Sequence, residues 1–142
     1  MSLIRYNDFY LHSYCAYFRY INLGSSMEQN FNEKFLNFVN GKRQLIPPKA
    51  KYDEMVATIH KITTEKTKSL KNNEVHLTRY YSLRIEQQNS VLYHVGNSDE
   101  KAQQVVAQEE LFGLLEKAHK KTGHGGIGIM WNELRNFYGI SK

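Results

Sequence analysis

Cysteine is almost missing from this chain: Cys15 is the only one in 142 residues. No internal disulfide can form, and a zinc cluster needing two thiolates cannot be completed from this sequence. A reducing intracellular compartment fits that usage. Proline occurs only as the adjacent pair Pro47-Pro48, and tryptophan only at Trp131. Long apolar runs are missing as well. The longest uncharged apolar stretch, Phe9 to Phe18, falls far short of the ~20 residues that span a bilayer, so no membrane partner is expected. Acid is the scarcer charge, 14 Asp and Glu against 19 Lys and Arg, which leaves a formal net charge of +5. That surplus permits nucleic acid as a partner and equally fits a solvated helix surface.

What is present in quantity is aromatic mass, ten tyrosines and seven phenylalanines. The length suits one modest core plus appendages. Residues 1–26 are heavy in tyrosine and poor in good helix formers. Arg5, Asp8, His12 and Arg19 interrupt any signal-like hydrophobic segment, and no small-residue cleavage site follows. This stretch reads as a divergent, disordered N-terminal extension, or else Met27 is the natural start. Residues 27–78 read as a helical N-terminal region and residues 79–142 as a second unit.

Apolar spacing sets the elements. Phe31, Phe35, Leu36, Phe38 and Val39 are helically spaced and stop at Gly41, after which Pro47-Pro48 enforces an extended break. Tyr52, Met55, Val56, Ile59 and Ile62 predict a second helix from Tyr52 to about Leu70, ended by Lys71-Asn72-Asn73. Tyr80–Glu86 and Ser90–Val95 alternate with period two around Gln87–Asn89, which predicts a hairpin, and Gln104–Ala107 is a candidate third strand. A helix follows over Gln108–Lys121. Its apolar face is Leu111, Leu114, Leu115 and Ala118, with Glu109 and Glu110 in its first turn and Lys117, Lys120 and Lys121 in its last, as the helix dipole favours. After the glycines at 123, 125 and 126, a further helix begins near Ile127, with apolar positions Ile127, Met130, Trp131, Leu134, Phe137 and Tyr138. The fold class predicted is mainly α with a small β-hairpin: a two- or three-stranded antiparallel sheet leading into a helix-turn-helix-like pair.

His119 and His124 have four residues between them and flank the start of the glycine turn. A lone histidine on an apolar face is usually a packed, hydrogen-bonded side chain, and His119 follows Leu115 by one turn. Two imidazoles at this spacing also make half of a tetrahedral zinc site, and glycines on both sides let the backbone bring His124 back toward the helix end. The segment Val105-Val106-x-x-Glu109-Glu110-Leu111-Phe112-x-x-Leu115-x-x-Ala118-His119-x-x-x-Gly123-His124-x-Gly126, with Met130, Leu134 and Phe137-Tyr138 beyond it, resembles the integrase zinc-binding domain of gypsy-like retrotransposons and related cut-and-paste elements. The resemblance is specific over residues 105–142, looser over 79–104 and faint before that. It implies a His-His-Cys-Cys zinc site pinning a helix-turn-helix bundle that assists DNA binding and assembly of integrase chains, in the nucleus. By that resemblance His119 and His124 match the two histidine ligands. The matching cysteines and the catalytic core would fall beyond Lys142, so the chain reads as a fragment truncated before the cysteines. Ala107 stands where relatives usually have proline, and Gly139-Ile140-Ser141 replaces a common tryptophan segment.

Two neutral imidazoles cannot match the ~10–16 kcal/mol that a complete thiolate-containing set supplies. Zinc is therefore expected to bind weakly or not at all, and the last two helices to rely on apolar packing around Trp131. Lys117, Lys120, Lys121 and Arg135 are the expected phosphate contacts. Catalysis is not expected. The run Gly123-His-Gly-Gly-Ile-Gly128 lacks the Gly-Lys-Ser/Thr ending of a phosphate loop and follows a helix. Neither a nucleophile elbow nor a small-molecule substrate site is evident, and the adjacent acid pairs cannot share one helix face. Tyr80, Tyr81 and Tyr93 offer rings for base stacking, although strand aromatics in a hairpin are more often core. Two readings result. One is a non-catalytic, transposon-derived integrase-like fragment acting in nucleic-acid binding or integrase assembly. The other is a protein interaction module or functionless relic that self-associates through amphipathic helices, a reading that an exposed Trp131-Leu134-Phe137 stripe would favour.

Overall fold

The Pro47-Pro48 break sets the start of the longest described helix. In the computed structural model, which describes residues 9–10, 29, 31–33, 45–66, 69–96, 101–123 and 127–141, Pro48 is extended (φ −61°, ψ 155°) and helix α1 (Lys49–Glu65) starts directly after it. Tyr52, Met55, Val56 and Ile59 form its inner face, with Ile59 buried and Ile62 half-buried one turn on. The helix stops earlier than the spacing predicts, because Lys66 turns into the left-handed region at φ 46°. A second helix α2 (Asn72–Tyr80) follows, in place of the predicted terminator. The Glu74 carboxylate accepts the Lys71 amide at 2.8 Å, one half of a capping box that starts a helix from otherwise weak formers.

α2 runs straight into the hairpin of β2 (Tyr81–Glu86) and β3 (Asn89–His94), paired with Tyr81 opposite His94 and Glu86 opposite Asn89. Gln87 and Gln88 both take positive φ, 47° and 69°, the geometry of a two-residue primed turn that matches strand twist. The third strand β4 (Gln103–Gln104) is shorter than expected and antiparallel to β3. Val105 and Val106 leave the sheet to enter the core, at 2% and 6% exposure. Helix α3 (Gln108–Lys121) occupies its predicted span. After Gly123 comes α4 (Ile127–Leu134), which ends one turn before the periodicity does. The chain there turns to β4: the Gln104 amide donates to Asn136 O and the Tyr138 amide to Gln104 O, each at 2.9 Å. The final strand β5 (Ile140–Ser141) pairs in parallel with β1 (Phe9–Tyr10). The fold is mainly α with a small antiparallel sheet and a C-terminal helix pair across a glycine turn. Of the predicted first helix, residues 31–33 are helical, and its remainder lies outside the described residues, as do residues 1–8 and 11–26.

Two apolar clusters hold these elements. Leu111, Leu115, Met130 and Leu134, each at most 1% exposed, join α3 to α4 together with Val106, Phe112, Ala118, Ile140, Phe31 and Ile46. Burying a leucine or methionine side chain contributes roughly 1.5–3 kcal/mol each. Ile59, Leu92, Val105 and Tyr138 join α1 to the sheet. Polar groups lock the starts of α1 and α3 together. The Gln108 amide donates to Pro47 O at 2.8 Å, its buried side chain donates to Ile46 O at 2.8 Å, and Glu109 accepts the Lys49 amide at 2.7 Å. Each helix thus satisfies an orphan donor of the other.

Candidate functional site

The last turn of α3 and the turn after it carry the residues that sequence reasoning singled out. Thr122 caps the helix: its amide donates to Ala118 O at 3.1 Å, and its hydroxyl bonds the same carbonyl at 2.9 Å. Gly123 then turns into the left-handed region at φ 61° and donates to Lys120 O, a conformation in which a Cβ is strained. His119 is half-buried on the flank of the buried face formed by Leu115 and Ala118. His124, Gly125 and Gly126 lie outside the described residues. Among the described residues no group of three or more His, Cys, Asp or Glu side chains could hold a metal ion. A four-coordinate structural zinc needs two donors beyond a histidine pair, so the described part of the chain does not furnish a complete set.

The four expected phosphate contacts are all exposed, but they are not equivalent. Lys120 pairs with Glu116 at 2.7 Å, one helical turn back, and Lys121 pairs with Glu133 of α4 at 2.6 Å. Such surface pairs contribute ~0–1 kcal/mol to stability, yet each carboxylate offsets a cation that a phosphate would need. Among the described residues Lys117 and Arg135 form no ion pair. The Arg135 carbonyl accepts a hydrogen bond from the Gln103 side chain at 3.0 Å, which anchors the end of α4 to β4.

The predicted apolar stripe of α4 turns inward. Leu134 is 1% exposed, and Trp131 and Phe137 pack half-buried against the α3–α4 cluster, so no Trp131-Leu134-Phe137 stripe faces solvent. Of the hairpin tyrosines, Tyr81 packs into the core, whereas Tyr93 lies on the opposite sheet face. There the Arg84 guanidinium sits over its ring at 4.3 Å and its hydroxyl donates to Glu86. That hydrogen bond, ahead of partial desolvation, holds the Tyr93 hydroxyl above the usual phenol range.

Sequence reasoning missed an aromatic group at the junction of sheet and C-terminus. The His94 ring stacks on Tyr138 (3.8 Å between centroids, 7° between planes), with the edge of Tyr81 at 5.2 Å and Tyr80 at 6.4 Å beyond. The signal was the alternation that sets His94 on the same face of β3 as the fully buried Leu92. No helix among the described residues is long and apolar enough to cross a membrane. No known protein family, curated protein or solved structure matches the chain.

Proposed function

We propose that the chain is a non-catalytic module of the integrase-associated, transposon-derived kind, acting in the nucleus in nucleic-acid binding or integrase assembly through the α3–turn–α4 pair. The observation that supports this most is the cationic end of α3. Lys117, Lys120 and Lys121 are exposed on its last two turns, and the Lys121–Glu133 contact brings that turn beside the end of α4, where Arg135 projects. In this reading Lys117 and Arg135 contact phosphate directly, while Lys120 and Lys121 do so by exchanging their carboxylates for phosphate. His119 and His124 are the two histidines of a half-formed zinc site, and zinc binds weakly. The helix pair relies on the buried Leu111, Leu115, Met130 and Leu134 instead of on metal.

Binding of this kind is non-specific and steeply salt-dependent. A gel shift with random-sequence duplex at low and moderate salt tests it. Retardation at low salt that fades at moderate salt is expected, and the lack of any shift at low salt removes the nucleic-acid role. Burial of the α4 stripe disfavours self-association through amphipathic helices.

A further inference from the structure

Among the described residues β2 is an edge strand, paired to β3 alone. The phase of that pairing is set by the Val95 amide, which donates to Tyr80 O at 2.8 Å. Ser82, Arg84 and Glu86 therefore turn their backbone groups toward β3, and Tyr81, Leu83 and Ile85 turn theirs outward. The far side of β3 agrees with this phase: Leu92 donates to the Tyr52 hydroxyl at 3.1 Å and accepts from Val105 at 2.9 Å. The outward amide of Tyr81 is satisfied by Leu77 O. Leu83 and Ile85 are left with backbone donors and acceptors that nothing among the described residues pairs. At 73% exposure Ile85 is also the most exposed large apolar side chain described.

We propose that this edge pairs, antiparallel, with the same edge of a second copy of the chain about a two-fold axis at Ile85. The backbone phase permits two compact registers over the exposed part of β2. Centring on Arg84 opposes the guanidinium to that of the second copy, and like charges directly opposite destabilise a pair of strands. Centring on Ile85 sets Ile85 against Ile85 of the second copy, with reciprocal backbone bonds, and sets Arg84 against Glu86 of the second copy in both directions. Charge thus selects the Ile85 register. Both side chains are already drawn to the outer sheet face by Tyr93, Arg84 by stacking on its ring and Glu86 by its hydroxyl. Edge strands are commonly protected by proline, a bulge or charges that repel a partner. β2 has neither proline nor bulge, and its two charges cancel in this pairing.

Sedimentation velocity of the full chain, from low micromolar to near-millimolar concentration, tests the proposal. A concentration-dependent dimer that weakens with salt is expected. Ile85→Pro removes only an outward donor, because that amide takes no part in the β2–β3 ladder, and is expected to weaken the dimer by about tenfold or more. Arg84→Glu, which needs no backbone change, is expected to do the same, and the double variant Arg84→Glu/Glu86→Arg to restore association. A monomer across the whole range overturns the proposal. So does a dimer indifferent to both Ile85→Pro and Arg84→Glu, or a double variant as weak as Arg84→Glu alone.

Discussion

Two glycines separate conformational need from empty space. Gly139 is buried at φ 86°, and a Cβ there would meet Leu45 Cβ and Ile46 Cγ1 at 3.1 Å each. Gly139→Ala is expected to lower the unfolding free energy by about 1–3 kcal/mol. Gly113 lies exposed within α3, with nothing within 4 Å of an added Cβ, so Gly113→Ala is expected to raise it by ~0.5–1 kcal/mol. Urea unfolding with an unchanged slope measures both. Tyr93 offers a titration at the same scale. Its folded-state pKa lies above the unfolded value, so the stabilisation it reports is present below the ordinary tyrosine range, near ~10, and is lost as the pH rises through the folded value. Glu86→Ala should move one phenolate transition in the ultraviolet titration to lower pH. If the transition stays in place, the Tyr93–Glu86 bond is not its cause.

At the scale of elements, the joined starts of α1 and α3 make separable demands. Glu109→Ala removes the acceptor of the Lys49 amide and is expected to cost ~0.5–2 kcal/mol, as loss of a helix cap does. Glu110→Ala removes only an exposed 3.9 Å contact to Lys49 and should change thermal stability little. The same elements show what periodicity can reveal. α3 was legible at both ends because Leu111, Leu115 and Ala118 mark one face and its charges follow the dipole. The hairpin was legible because Tyr81, Leu83 and Ile85 alternate with polar residues. α2 was not legible, since Asn72, Asn73 and Thr78 form helix poorly and its start depends on Glu74 reaching back to Lys71. The end of α4 was hidden as well. Phe137 and Tyr138 continue the helical spacing, but the Asn136 carbonyl and the Tyr138 amide on either side of Phe137 bond Gln104, a contact no local pattern contains. In the candidate site the four cations could be read directly. Glu116, one turn before Lys120, was a readable partner, whereas Glu133 meets Lys121 only through the tertiary fold.

For the whole molecule, the core spans both ends of the described chain, with Phe31 and Ile46 packed among side chains of α3 and α4. Stability held by such packing should not depend on zinc. Thermal midpoints with added zinc and with a chelator are expected to coincide, and a fall of many degrees in chelator would show that a metal carries the fold. The cationic end of α3 makes the functional claim, and paired variants test it in opposite directions. Fluorescence anisotropy with a labelled random duplex, between ~50 and ~200 mM salt, should give a linear log–log dependence of affinity on salt. Lys117→Ala with Arg135→Ala should weaken binding and make that slope shallower by about 1.8, at ~0.9 per lost phosphate contact. Glu116→Gln with Glu133→Gln, which releases Lys120 and Lys121, should tighten binding and steepen the slope. No binding at the lowest salt, or the same affinity and slope in both variants as in the parent chain, would contradict the account.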